Sequence, residues 1–242
     1  MTPVFLFSKF PYLAALLLIA GTLVRYLMAR RRPETAAAES REALEALAGG
    51  MAWRLSLSAL LLLHLAGLAS PRGILLWNGS SVRLYLLEGI AFLAGVVALG
   101  SWAVVMMQNL RRAGRPAATE LSDMIFLALL FTGILSGLVV AVVDRWASTW
   151  GAMTLTPYVI SLLRGQPAAS LVSGMPFMVR LHVFSVFAAL AILPGTRLGS
   201  VLGLGLHRGF LLLGRPFTAA GRMAEAWLQK HNPAGRIWPE ED

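Results

Sequence analysis

Two histidines lie within apolar stretches of this 242-residue chain. His64 follows four consecutive leucines at 60–63, and His182 ends the segment FMVRLH at 177–182. An ionisable side chain is costly in a long apolar segment, so each needs a reason to be there. Two neutral imidazoles at similar depth on facing helices can ligate the iron of a b-type haem from both axial sides. The alternative is two separate packing histidines, each hydrogen-bonded to a carbonyl or a serine.

Other chemical groups near the apolar stretches are few. Arg180, two residues before His182, is placed either to meet a haem propionate or to extend to the membrane surface. The carboxylates Glu88 and Asp123 lie near the ends of apolar blocks, and no block contains a carboxylate pair, which disfavours a proton-driven transporter. There is no cysteine, which excludes disulfides and cysteine-ligated metal sites within the chain. No phosphate-binding loop or Ser/His/Asp arrangement is visible either.

The elements that must position these residues are membrane helices. The chain is 57% hydrophobic and only 14% charged, with a mean hydropathy of +0.69, whereas a soluble domain is about 25% charged. Its apolar residues fall into blocks of about 20, the length that crosses the roughly 30 Å hydrocarbon core. The fold class is therefore all-α integral membrane, a five-transmembrane-helix bundle, with spans expected at about 11–29, 51–69, 84–109, 123–143 and 173–193.

The polar segments divide the rest of the chain. The stretch 33–50, rich in Glu and Ala, is expected to form a short surface helix, and 148–171 is a longer connection between the last two spans. Residues 201–213 are too short and too polar for a sixth span, so they are expected to be interfacial. We therefore expect a membrane domain at 1–200 and an interfacial or cytoplasmic tail at 201–242. No internal repeat or pair of broken helices of the transporter kind is visible.

The distribution of Lys and Arg predicts the orientation. Arginines follow the first span at 30–32 and the third at 111–115, and more occur in the tail. The opposite side has only Lys9, Arg72, Arg83, Arg145 and Arg164. By the positive-inside rule, the N-terminus is outside and the C-terminus is cytoplasmic. The net charge of +9 is concentrated at span ends, so we expect no nucleic-acid partner but contact with the lipid bilayer.

Several short motifs, in order along the chain, resemble a known family. The segment SGMPFMVRLH at 173–182, followed by LPGTRL at 193–198, is similar to the fifth helix of the gamma subunit of respiratory nitrate reductase. The resemblance extends over about 8–202 and includes FPY at 10–12, RY at 25–26, HLAG at 64–67, LEG at 87–89, RW at 145–146 and LTPY at 155–158. This family also includes cytochrome b subunits of sulfite-reduction-associated complexes and of some membrane hydrogenases.

The resemblance implies a five-helix cytochrome b that transfers electrons between the quinone pool and a partner redox subunit. It implies haem b with His64 and His182 as the axial ligands of the iron, and Arg180 as a further cofactor-binding residue. It places Arg83 where the family has a basic residue that contributes to the quinol site, although an interfacial lipid contact would also explain Arg83. The chain would have no substrate chemistry of its own, and it would lie in the cytoplasmic (inner) membrane of a bacterium or archaeon.

The sequence departs from the family's two-haem pattern at the second ligand pair. Members with two haems have a histidine ten residues before the one that His64 resembles, and another eighteen after the one that His182 resembles. Those positions are Arg54 and Ser200 here, and neither residue ligates haem. The resemblance, with this departure, implies a single haem, near the outer face.

The missing inner haem affects the expected partner. Without it, an electron would have to cross about 20 Å between the remaining haem and the cytoplasmic face, given the bilayer thickness. We therefore favour a partner on the outer face, an iron–sulfur protein or a cytochrome c, docking on 148–171. An inner iron–sulfur partner would need to reach unusually deep into the membrane. A haem-free membrane anchor or assembly subunit remains the alternative function, and a small transporter is a weaker third.

Overall fold

The computed structural model describes residues 3–46, 50–112 and 121–230. These residues are almost entirely helical, and no β-strand occurs among them. The α-helices are α1 (Pro3–Ser8), α2 (Phe10–Arg31), α3 (Pro33–Ala46), α4 (Gly50–Ala69), α5 (Pro71–Trp77), α6 (Ser81–Arg112), α7 (Leu121–Val143), α8 (Ala147–Leu163), α9 (Ser170–Ser173), α10 (Phe177–Ile192) and α11 (Arg197–Lys230).

Five segments are long and apolar enough to cross a membrane, which confirms the predicted five-span bundle. They are Val4–Arg31, Gly50–Ala69, Ser81–Gln108, Leu121–Val143 and Phe177–Gly195. The last begins four residues later than predicted, because Pro176 is its N-cap and fixes where the helix starts. We call the end of the bundle that carries Lys9, Arg72, Arg83, Arg145 and Arg164 the outer end, after the predicted orientation, and the opposite end the inner end.

The helices pack as two groups that meet at α7. Among the described residues, α10 packs most extensively against α7 and also against α2, whereas α4 packs mainly against α6. α6 and α7 join the groups through Trp102, whose indole Nε1 donates to the Leu127 carbonyl at 2.8 Å. α4 and α10, the helices that carry His64 and His182, are not among the extensively packed pairs. Space therefore separates the backbones of the two histidine-bearing helices.

The outer end has an apolar core of its own. The expected connection at 148–171 contains a 17-residue helix, α8, which packs against α4, α5 and α9. Tyr158 of α8 is fully buried among Phe7, Val172 and Val183, and its hydroxyl donates to the Phe7 carbonyl at 2.8 Å. Burial, and to a smaller extent the Tyr12 hydroxyl, raises the pKa of Tyr158 far above its usual range, so this hydroxyl remains a donor.

The inner end is closed by α3 and α11. The predicted surface helix at 33–50 is α3, and its alanine face packs against α11 around Ala29, Ala36 and Leu204. α11 approaches α2 closely because Gly203 has no side chain: a Cβ there would lie 2.7 Å from the Arg25 carbonyl carbon. The division expected at residue 200 falls within α11, which runs without interruption from Arg197 to Lys230.

Candidate haem-binding site

The two histidines lie at the same depth in the bundle. His64 is five residues before the outer end of α4, and His182 is five residues after the outer start of α10. At 1.5 Å of rise per residue, each is about 8 Å along its helix from the outer end. The expected start of the fifth span at residue 173 would have put His182 four residues further from the outer end than the observed start at Phe177 does. The two imidazole ring centroids are 5.8 Å apart, with their planes inclined by 26°.

Hydrogen bonds to carbonyls indicate the tautomer of each imidazole. His64 Nδ1 lies 2.7 Å from the Leu60 carbonyl oxygen of its own helix, and His182 Nδ1 lies 2.9 Å from the Gly133 carbonyl oxygen of α7. A carbonyl oxygen can only accept, so in each ring the proton belongs on Nδ1. That leaves the lone pair of Nε2 available to a metal, and a carbonyl bonded to the other ring nitrogen is the usual support of a ligating histidine.

The separation of the rings fits two ligands that share one metal ion. A metal–imidazole bond is about 2.0 Å, and the ring centre is about 1 Å beyond the nitrogen, which gives roughly 6 Å between centroids. The observed 5.8 Å agrees with that value. The structure also leaves room beside His64, because a Cβ on Gly67, one turn further along α4, would have no atom within 4 Å. The donor set and the spacing therefore fit an axially ligated haem.

Arg180 has a buried donor that no described residue satisfies. Its Nε atom is buried and has no hydrogen-bond partner among the residues that the structure describes. A cleft of about 300 Å³ at the outer end is lined by Asp144, Arg145, Trp150, Met175, Pro176 and Val179, the last of which precedes Arg180 in the chain. A buried donor without a partner destabilises a protein by about 1–3 kcal/mol. An anionic oxygen, such as that of a haem propionate, would satisfy it.

Arg83 lies at the outer end, in the first turn of α6. Its guanidinium carbon is 5.6 Å from the centroid of the Trp77 ring, and its Nη2 donates to the Leu76 carbonyl at 3.3 Å. The Trp77 indole donates to the Arg83 carbonyl at 3.0 Å, so the two residues fasten the turn between α5 and α6. One turn or so further along α6, Glu88 accepts hydrogen bonds from the backbone N–H and the hydroxyl of Ser148.

The two positions of the second histidine pair have different surroundings. Arg54 is exposed on α4. Ser200 is buried on α11, where its hydroxyl donates to Glu39 at 2.7 Å and accepts from Arg25 at 3.3 Å. Nothing at either position supplies an imidazole.

The contribution of α7 to this site was not predicted from the sequence. The segment GILSG at 133–137 puts glycines four residues apart, on one face of the helix. That face meets α10: a Cβ on Gly137 would lie 3.1 Å from His182 Cε1, and the Ser136 hydroxyl is 3.4 Å from His182 Nδ1. The glycine spacing was the available signal, but the sequence does not say which helix this face meets.

Comparison with known proteins gives the family. The family model described as nitrate reductase gamma subunit matches residues 3–208, which is most of the chain. The chain belongs to the nitrate reductase gamma subunit family. It is also similar to the nitrate reductase gamma chain of Bacillus subtilis (strain 168), with 24% identity over 210 residues, covering 83% of this chain and 92% of that protein. Membership of this gamma subunit family and the five spans together make the chain a multi-pass membrane subunit of the nitrate reductase gamma type.

Proposed function

We propose that this gamma-type subunit is a b-type cytochrome that holds one haem between His64 and His182 and passes electrons between the quinone pool and a partner redox subunit. The observation that carries the proposal is the imidazole pair. The rings are 5.8 Å apart, and in each a backbone carbonyl accepts from Nδ1, so the lone pair belongs on Nε2. Haem would supply reversible one-electron chemistry at its iron.

Each residue of the site has a separate role in this proposal. His182, whose Nδ1 is bonded to a different helix, and His64, whose Nδ1 is bonded within α4, would hold the haem iron. Arg180 would bind a propionate through its buried Nε. Because both histidines lie within spans long and apolar enough to cross a membrane, a haem held by them would be in a low-dielectric environment.

The contacts around Ser200 support a single haem. Where a second pair of axial ligands would be needed, Arg25, Glu39 and Ser200 bond to each other and to the backbone after α10. A macrocycle at that position would have to break these contacts and would find no histidine on α4 to complete its ligation.

The outer face is the proposed side of electron exchange with the partner, with the N-terminus outside and the C-terminus in the cytoplasm. The histidine pair is about 8 Å from the outer helix ends, so roughly 20 Å of a 30 Å bilayer core would separate it from the inner face. An iron–sulfur protein or a cytochrome c that docks on α8 and the adjoining turns would be closer to the haem than an inner partner. Arg83, at the same end, is the proposed hydrogen-bond donor to a quinone carbonyl.

A pyridine haemochrome assay on protein purified from membranes tests the proposal, with His64→Ala and His182→Ala alongside. His207→Ala is the matched control, because this histidine lies on α11 beside Tyr26 and outside the proposed site. We expect about one haem b per chain in the wild type and in the control, and its loss or severe reduction in the two site variants. A haem-free wild type would favour the membrane-anchor function, and two haems per chain would refute the single-haem proposal.

A further inference from the structure

Three groups of α7 lie against the imidazole of His182: the Gly133 carbonyl, the Ser136 hydroxyl and Gly137. The Gly133 carbonyl accepts from His182 Nδ1 at 2.9 Å, although a helix carbonyl already has a partner in its own helix. The Ser136 hydroxyl lies 3.4 Å from the same nitrogen. Gly137 allows the ring to lie directly against the α7 backbone. α7 and α10 are also the most extensively packed helices among the described residues.

Ser136 faces His182 with its oxygen lone pairs. Its hydroxyl donates to a backbone carbonyl of its own helix, with Thr132 at 2.6 Å and Gly133 at 3.1 Å, so the oxygen acts as an acceptor toward His182. Ser136 is also 2% exposed, so water does not compete for this position. The Nδ1–H of His182 therefore has a strong acceptor in the Gly133 carbonyl and a weaker, longer one in Ser136.

Gly137 makes this arrangement sterically possible. A Cβ at this position would lie 3.1 Å from His182 Cε1 and 3.2 Å from Nδ1, closer than side chains normally approach. The imidazole is enclosed by α10 and α7, so an alanine at 137 has to push the ring away from the Gly133 carbonyl. By contrast, Gly67, which is three residues after His64 on the same helix, is open, since a Cβ there would meet nothing within 4 Å.

We propose that α7 is the positioning element of the haem site, with Gly137 and Ser136 setting the ring orientation and the electron-donor strength of His182. The inference rests on the proposed function for its redox consequence. Acceptors on Nδ1–H make a ligating imidazole more basic, which favours the more highly charged ferric iron and lowers the reduction potential. Gly133, Ser136 and Gly137 thus influence the reduction potential of the haem through His182, without contacting the haem.

Three variants test this. Gly137→Ala should lose haem or change the low-spin EPR signal, which reports the relative orientation of the axial rings, and Ser136→Ala should keep haem and raise the midpoint potential. Gly100→Ala on α6, where a Cβ would meet nothing within 4 Å, is the control for adding a methyl group to a membrane helix. Thr132→Val is the control for removing an α7 hydroxyl whose recorded hydrogen bond is to Ala128. Unchanged potential and EPR signal in both Ser136→Ala and Gly137→Ala would overturn the proposal.

A readout without haem separates this inference from the proposed function. In histidine-labelled protein, the ¹⁵N chemical shifts of His182, assigned by comparison with His182→Ala, should show a proton on Nδ1. Gly137→Ala should shift the tautomer balance toward Nε2, and Gly100→Ala should leave it unchanged. A wild type that binds no haem but shows this response would support the positioning role and refute the cytochrome. A haem-binding wild type whose His182 carries its proton on Nε2 would refute the positioning role.

Discussion

The outer and inner ends of the bundle use their polar side chains in opposite ways. At the outer end, His64 and His182 each bond to a carbonyl through Nδ1, and the buried Arg180 Nε has no partner among the residues that the structure describes. At the inner end, Arg25 donates to the Pro194 carbonyl at 2.8 Å and to the Thr196 carbonyl at 3.3 Å, and it also contacts Ser200 and Glu39. The inner end therefore satisfies its arginine with groups of the protein itself, whereas the described residues at the outer end leave the Arg180 Nε without an acceptor.

This difference shows two ways in which a helix bundle accommodates a partly buried arginine side chain. A buried cation needs hydrogen-bond partners in either case. Arg25 obtains them from the turn after α10 and from α3, so the inner end is complete within the chain. No described residue accepts a hydrogen bond from the buried Nε of Arg180, so this donor at the outer end is not satisfied by that part of the protein. Replacing Arg25 at the inner end should therefore lower the stability of the protein. Replacing Arg180 at the outer end should instead lower the affinity for haem, the proposed ligand.

The largest effect should come from Arg25→Ala. It leaves the Pro194 and Thr196 carbonyls without their donor and Glu39 without its cation, so we expect a loss of about 2–3 kcal/mol in unfolding free energy, reduced from the value for a fully buried pair because Glu39 is partly exposed. A lower unfolding temperature in detergent is the measurement. Haem per folded chain should stay the same, since the network is remote from His64 and His182.

Arg25→Lys serves as the control, because one ammonium keeps the charge but cannot reproduce the separate donors of the guanidinium. The unfolding temperature of Arg25→Lys should lie between those of the wild type and of Arg25→Ala. Stability equal to the wild type in Arg25→Ala would mean that the inner network does not hold α2, α3 and α11 together.

Much of this comparison was visible in the sequence. Span lengths follow from hydropathy, and the histidines were noticeable because imidazoles are rare in apolar helices. Ser200 was identified only as a missing ligand, because its partner Glu39 belongs to a polar helix that the sequence could only place on the surface. The role of α7 was not predictable either, since Gly133 and Gly137 are informative only once the packing of α7 against His182 is known. Hydrophobic periodicity indicates which face of a helix is apolar, but it does not indicate which distant helix that face contacts.

At the outer end, Arg180→Ala should show the opposite pattern to Arg25→Ala. Removing an unsatisfied donor should leave the stability of the haem-free protein unchanged or slightly raised. Losing a charge-assisted bond to a propionate, worth about 1.5–3 kcal/mol, should weaken haem binding by roughly ten- to a hundredfold. Haem titration of the apoprotein measures this. Weaker stability with unchanged haem affinity would show that Arg180 is a structural residue.

Glu88→Gln should have a smaller effect, confined to the outer surface. Its carboxylate accepts from the N–H and hydroxyl of Ser148 at 2.8 and 2.6 Å and so caps the start of α8. An amide oxygen accepts more weakly, so we expect a loss of about 1 kcal/mol in the local stability of α8. Hydrogen exchange of the α8 amides is the measurement, with the amides of α3 as the internal reference. Equal changes in both helices would mean that the effect is global rather than a cap.

The smallest structural effect should come from Arg83→Ala, and this makes it the sharpest test of the quinone role. The Arg83 side chain is exposed and its contact with the Trp77 ring is worth about 0.5–1 kcal/mol, so folding and haem content should barely change. If Arg83 donates to a quinone carbonyl, the KM for quinol should rise several-fold while the haem spectrum stays the same. Arg72→Ala, another exposed cation at the outer end, removes the same charge elsewhere and should leave KM unchanged. Equal increases in both variants would indicate a general electrostatic effect at the membrane surface, and Arg83 would then be an interfacial residue that fastens the turn between α5 and α6.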